Sequence, residues 1–225
     1  STPAAVEETA LGENGFLSAM RAGALWVDSS TVDPAFSRRM AAEAAARGVR
    51  FVDAPVTGSK DAAQNGQLRF LVGAGEADLA EIYPLLEKMG AIIVHAGEQG
   101  KGASIKLVFN LIVGQAMLAY AEGLALGEAM GFSRERLLEL TLGSPQVPSL
   151  LNLKRTRMES DTYPADFPLQ WMQKDLHLAA LTGYEMGVAM PQTSLAKEVF
   201  RLAINAGLGD EDFAAIVKFI AAKTK

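Results

Sequence analysis

Apolar residues recur along this chain in two rhythms, and the change from one to the other falls near residue 100. Before it, short apolar runs alternate with longer amphipathic stretches. The runs "ALWVDSS" (24–30), "VRFVDAPV" (49–56), "QLRFLVGAG" (67–75) and "AIIVHAG" (91–97) read as strands. Three helical stretches accompany them, the first ahead of the first run. Thr2-Pro3 opens the first in the N-cap and N1 positions and Gly12 or Gly15 closes it; Asp33-Pro34 opens a second that Gly48 ends; "EADLAEIYPLLEKMG" is the third. Strands separated by helices predict an α/β layer with at least a partly parallel sheet. After Gly102 the strand signals stop, and the pattern predicts helices over 102–131, 133–142, 146–159, 167–187, 191–206 and 210–222. The expected organisation is α/β over residues 1–101 and all-α over 102–225, the second part opening with a helix of about 44 Å at 1.5 Å per residue. A helix of that length is expected to link domains or join subunits.

Composition narrows the function classes. With 225 residues, 49% of them apolar, the chain can bury a sizeable core. Its 21 basic and 26 acidic side chains leave a net charge of -5, which gives no electrostatic footprint for nucleic acid or an anionic membrane. The local cluster "LKRTRM" (Lys154, Arg155, Arg157) reads as a solvated helix face. Cysteine is absent and histidine occurs only at His95 and His177, so disulfides and thiolate chemistry are excluded and no metal site is expected. The first residues carry two early acids, no basic n-region and no apolar h-region, unlike a secretory signal. The most apolar window, 105–121, is broken by Lys106, Asn110 and Gln115 and reads as a buried helix, short of the roughly 20 apolar residues a membrane span needs. A cytoplasmic location is the expectation.

A dinucleotide-binding fold should carry G-x-G-x-x-G between its first strand and helix. The chain lacks it. "GAGEAD" and "GKGASI" each supply G-x-G without the third glycine, and the former runs into an acidic helix start that repels phosphate. More telling is "GKGASIKLVFN" (100–110), where Lys106 and Asn110 stand four residues apart on an otherwise apolar helix. Residues i and i+4 lie about 40° apart around a helix, so the two share a face. Spacing leaves two readings open: Lys106 snorkels to water and Asn110 bonds a neighbouring backbone, or both reach one substrate atom. Likewise "VTGS" is either an ordinary strand-to-helix turn or an anion-binding nest of amides and hydroxyls, and Lys174-Asp175 in "WMQKDLHLA" is either a surface charge pattern or part of a site.

Taken in order, "VDSSTVDP", "DAPVTGSKDAAQNGQL", "GEQGKGASIKLVFN", "FPLQWMQKDLHLA" and "GLGDEDF" resemble the β-hydroxyacid dehydrogenase family from near residue 1 to the C-terminus. "GSK" at 58–60 followed by "NGQL" is most similar to the glyoxylate/succinic semialdehyde reductases within it. The resemblance implies a Rossmann-like domain lacking its first strands, followed by an all-α substrate and oligomerisation domain. It also implies NADPH-dependent reduction of a small aldehyde acid, with NAD as the other possible cofactor. By the same resemblance Lys106 and Asn110 are catalytic, Thr57, Gly58 and Ser59 hold the substrate carboxylate, and Thr31 and Lys174 contact the cofactor. Thr57 stands where serine is more usual but keeps the hydroxyl. Because the family's glycine fingerprint lies upstream of the match, the chain is expected to be a truncated form of a homodimeric or homotetrameric enzyme. The other reading is a catalytically silent oligomerisation module of the same descent.

Overall fold

The computed structural model describes residues 2–222, and these form two compact units that divide after Phe109. In the first, helices α1 (Pro3–Leu11), α2 (Pro34–Ala45), α3 (Lys60–Gln64) and α4 (Glu76–Leu86) accompany strands β1 (Leu25–Asp28), β2 (Arg50–Asp53), β3 (Val56–Thr57), β4 (Leu68–Gly73) and β5 (Gly90–Gly97). The two expected N-caps are in place. Thr2 Oγ1 accepts from the Ala5 amide at 3.1 Å and Asp33 Oδ1 from the Phe36 amide at 2.7 Å, each followed by proline. Strand β1 runs parallel to β2 and β4 parallel to β5, while β2 and β3 both run antiparallel to β4.

Period-two alternation builds a core on each face of the sheet. Phe51 joins Trp26, Val6, Phe36 and Met40 on the α1/α2 side; the next residue, Val52, joins Phe70, Val72, Ile82 and Leu86 on the α4 side. Trp26 is held edge-on between Phe16 and Phe51, with ring centroids 5.2 and 4.8 Å apart. The apolar run 49–56 does not form one strand. Ala54-Pro55 interrupts it, since proline has no amide for the ladder, and the remainder pairs as β3 through Val56↔Phe70 and Thr57↔Arg69.

A single helix, α5 (Lys101–Ala129), spans 29 residues and crosses the division between the units. By length and composition it could cross a membrane, yet Ala103, Leu107, Asn110, Gly114, Met117, Ala121 and Leu124 are buried along it. These positions recur three or four apart, which is the stripe of a core helix. Its N-terminal turn presses on the strands. A Cβ on Gly102 would overlap the Leu71 carbonyl oxygen and crowd Asp53, and one on Gly73 would overlap the Asp53 carboxylate.

The second unit continues with α6 (Arg134–Thr141), α7 (Arg155–Ser160), α8 (Leu169–Glu185), α9 (Pro191–Ala203) and α10 (Ile216–Ala221) around one core that includes Met117, Leu138, Met158, Met172, Leu176 and Phe200. The "LKRTRM" cluster departs from expectation here. Lys154 is 7% exposed and its Nζ lies 2.8 Å from Asp212 Oδ2, while Arg157 pairs with Asp166 at 2.6 Å; only Arg155 faces solvent, bonded to Glu159. The physical reason is Asp212. Wholly buried in "GLGDEDF", its carboxylate also accepts the amides of Asp166, Phe167 and Ala214. The same loop satisfies the otherwise orphan first donors of α8, Leu169 N bonding Glu211 O and Gln170 N bonding Gly209 O.

Two stability outcomes follow. Gly102→Ala should cost about 1–3 kcal/mol through overpacking, whereas Gly123→Ala, also within α5 but with open space at its Cβ, should gain about 0.5–1 kcal/mol; denaturant titration of both compares them. Asp212→Ala strands a buried lysine and should cost about 3–5 kcal/mol, while Arg136→Ala, which breaks the exposed Arg136–Glu139 pair, should cost under about 1 kcal/mol. Equal midpoints for these last two variants would refute the buried-pair account.

Candidate functional site

In the first unit, Thr31 follows the carboxyl end of β1, and Thr57, Gly58 and Ser59 form the link from β3 to α3. The carboxyl ends of parallel strands are where open α/β sheets bind ligands. Gly58 has φ +128°, and a Cβ there would come within 2.9 Å of Ala62 Cβ and 3.0 Å of Leu68 Cδ2, so the turn requires glycine. Thr57 and Ser59 are half-buried, and Ser59 makes no side-chain cap to α3.

Two acids that the sequence pattern did not single out meet at the same strand ends. Asp28 and Asp53 are register partners across β1 and β2, both buried. Asp28 Oδ1 accepts the Ser30 amide, while its Oδ2, also buried, has no hydrogen-bond partner among the described residues. Asp53 Oδ1 accepts the Gly100 amide at 2.6 Å and Oδ2 the Ala103 amide at 2.7 Å. Burial pushes the Asp53 carboxyl above its usual range, the two amide bonds hold it back, and nearby Asp28 adds to the rise. An acceptor of this kind at the crest of β1 suits a hydroxyl or amide donor. Lys106, one turn beyond Ala103 on α5, is half-buried.

The second unit gathers the other candidates. Asn110 is buried on the apolar stripe of α5, and its Nδ2 donates to Asp175 Oδ2 at 2.5 Å. Asp175 is 1% exposed on α8, and Lys174 Nζ lies 3.0 Å from its other oxygen. Gly114, one turn beyond Asn110, lets Met172 and Leu176 of α8 close on α5: a Cβ there would stand 2.8 Å from Met172 Sδ and 3.2 Å from Leu176 Cδ2. The Lys174-Asp175 dipeptide is therefore not a surface charge pattern. Asp175, which the motif reading passed over, is the centre of this cluster; the visible signal was an aspartate flanked by Met172 and Leu176 at core spacing. Gln115 Nε2 donates to the buried Thr193 of α9 at 2.7 Å, and Arg201 of α9 to the buried Gln173 at 3.2 Å, so the polar positions of α8 and α5 are held from both sides within the unit. His177 adds no stable cation: burial first, then Lys197 and Arg201, pulls its pKa down.

Two family models cover nearly the whole chain: the NAD binding domain of 6-phosphogluconate dehydrogenase over residues 1–97, and the NAD-binding domain of NADP-dependent 3-hydroxyisobutyrate dehydrogenase over residues 100–220. Glyoxylate/succinic semialdehyde reductase 1 of Arabidopsis thaliana is 37% identical over 221 residues, covering 98% of this chain and 76% of that protein. The chloroplastic reductase 2 of the same plant is 35% identical over 224 residues, covering 99% of this chain and 63% of that protein. Among solved structures, 3-hydroxyisobutyrate dehydrogenase from Salmonella typhimurium superposes with a TM-score of 0.88 at 25% identity, covering 97% of this chain and 76% of that one. The mixed sheet is thus Rossmann-like, the helical unit is the one that accompanies it in these relatives, and the chain belongs to the β-hydroxyacid dehydrogenase family of NAD(P)-dependent enzymes.

Proposed function

We propose that the protein reduces a small aldehyde acid of the glyoxylate or succinic semialdehyde class with NADPH. The observation that carries this reading is the buried Asn110–Asp175–Lys174 cluster: three polar side chains set into an apolar helical core, where each must be matched or incur a desolvation cost. The names of the two plant reductases support the substrate class, and the NADP-dependent family model supports the cofactor.

In this reading Thr31 and Lys174 hold the cofactor, which when bound supplies hydride to the carbonyl carbon. Thr57, Gly58 and Ser59 hold the substrate carboxylate through the turn amides and two hydroxyls. Lys106, as ammonium, donates a hydrogen bond and then a proton to the carbonyl oxygen; in the oxidative direction neutral lysine takes the proton back. Asn110 has one N–H committed to Asp175, and its other N–H and its carbonyl remain to orient Lys106 or share the developing oxyanion. Asp175 fixes the Asn110 amide and balances Lys174. Residues 1–101 form the cofactor domain, which also lends the carboxylate turn at 57–59, and 102–225 the substrate and assembly domain, which also lends Lys174. Exposed apolar side chains in the helical unit, among them Ile112, Leu126, Tyr184, Met186 and Leu195, favour a homodimer or homotetramer.

Lys106→Ala should lower turnover by roughly 10²- to 10⁴-fold, the usual range for general acid-base help, with NADPH affinity near the parent value. Lys106→Arg should recover little, because guanidinium stays protonated and presents a planar fork. Lys174→Ala should instead weaken NADPH binding more than turnover at saturation. Steady-state kinetics with glyoxylate and succinic semialdehyde separate these signatures, and near-parent turnover in Lys106→Ala would return that residue to a snorkelling role. Sedimentation velocity at micromolar concentration should give a species larger than the 23.9 kDa chain; a monomer would remove the assembly reading.

A further inference from the structure

We propose that Asp53 is a positioning residue for Lys106, an inference that rests on the reading of Lys106 as the proton donor. The start of α5 explains why. Gly100 is its N-cap: the Gly100 carbonyl accepts the Ser104 amide at 2.9 Å, the first bond of the helix. Glycine has no side chain to cap with, and no other residue can easily stand there, because φ is +87° and a Cβ would press on Arg38 and Pro34. A usual capping box satisfies the N3 amide with the N-cap side chain and the N-cap amide with the N3 side chain. Here N3 is Ala103, which is equally unable to contribute.

Asp53 supplies both halves from 47 residues earlier in the chain, one oxygen on the Gly100 amide and the other on that of Ala103. A bidentate hold on two amides three residues apart fixes the height, the direction and the rotation of the first turn. The glycines at 73 and 102 let the carboxylate and the turn approach this closely. Lys106 is the residue three beyond Ala103, on the adjoining part of the same face. Its Cα is therefore located by Asp53 with one helical turn intervening, and misplacing a proton donor by about 1 Å can cost on the order of 10²-fold in rate.

The test compares Asp53→Asn, Asp53→Ala and Lys106→Ala in the enzyme bearing this sequence. It measures kcat and KM for succinic semialdehyde at saturating NADPH, and the dissociation constant for NADPH by fluorescence. Asparagine keeps one acceptor and alanine none, so kcat should fall roughly 10-fold and 100-fold respectively, with KM and NADPH affinity within about threefold of the parent. Amide exchange should quicken at Gly100 and Ala103 while strands β1 and β2 stay protected. If Asp53→Ala does not fold, the near-isosteric Asp53→Asn carries the comparison. A folded Asp53→Asn enzyme turning over within about twofold of the parent overturns the proposal, as does a loss of kcat matched by an equal loss of NADPH affinity, which would make Asp53 part of the cofactor site. Undiminished kcat in Lys106→Ala, by contrast, refutes the proton-donor reading itself, whatever the Asp53 variants do.

Discussion

One carboxylate against two amides organises the first unit. The N-terminal turn of α5 packs on the strand ends, and a helix end buried there must find partners for its free N–H groups. Asp53 supplies them, and the positive end of the helix dipole in turn compensates a carboxylate that burial disfavours. Much else in the unit follows from that contact. Gly73 and Gly102 are bare because the carboxylate and the Leu71 carbonyl occupy the space a side chain would take. Val52 and Phe51 are committed to opposite cores because Asp53, at the end of the same strand, must point to the side where α5 begins. The loop after β5 turns through positive φ at Gly97 and Gly100 to bring the helix to that point.

The second unit repeats the device with different chemistry. Helix α8 also begins at a buried aspartate from distant sequence, but Asp212 acts through its loop. Its carboxylate bonds the Asp166 and Phe167 amides, and the loop carbonyls at Gly209 and Glu211 receive the first donors of α8. Dipole compensation would not suffice here, since the carboxylate faces the chain before α8 rather than its first turn, so Lys154 and Arg157 provide countercharge. Lys154 also lies 4.8 Å from the centre of the Phe213 ring. The helices that bear Lys106, Asn110, Lys174 and Asp175 thus both have starts pinned by buried acids. Groups that must hold a geometry to within tenths of an ångström belong on elements located in this way.

The layout of elements could be read along the chain because it depends on local periodicity. Short apolar runs at 24–30, 67–75 and 91–97 marked the strands that form at 25–28, 68–73 and 90–97, and Thr2-Pro3 and Asp33-Pro34 announced their helices by cap chemistry. What could not be read depends on contacts between residues far apart. Nothing within "VRFVDAPV" says that its aspartate caps a helix starting near residue 100, or that Pro55 splits the run so that β3 pairs antiparallel with β4. Lys154 and Arg157 looked solvated because charge on a short helical segment usually is; the Lys154 counterion, Asp212, stands 58 residues beyond it, and Arg157 pairs with Asp166 across the turn before α8. The candidate lysines and the turn at 57–59 were visible as an ordered series of motifs, while Asp175 was visible only as half of a charged dipeptide until its burial beside Asn110 was known.

That burial bears on whether the helical unit is a scaffold or a site. A scaffold loses little, and often gains stability, when a buried polar cluster is replaced by apolar side chains of similar volume. The surroundings invite such a replacement: Asn110 sits between Leu107 and Gly114 on a stripe otherwise filled by Ala103, Met117 and Ala121, and Asp175 lies between Met172 and Leu176, both wholly buried. Leucine or methionine at either position would continue the core. Beyond its bond to Asp175, the Asn110 amide keeps the capacity for a second N–H donor bond and for a carbonyl acceptor bond. Spare hydrogen-bonding capacity in an apolar setting costs stability with no structural return, and it is what a site needs in order to meet a ligand. The physical balance therefore favours a binding or catalytic use of α5 and α8 over a purely architectural one.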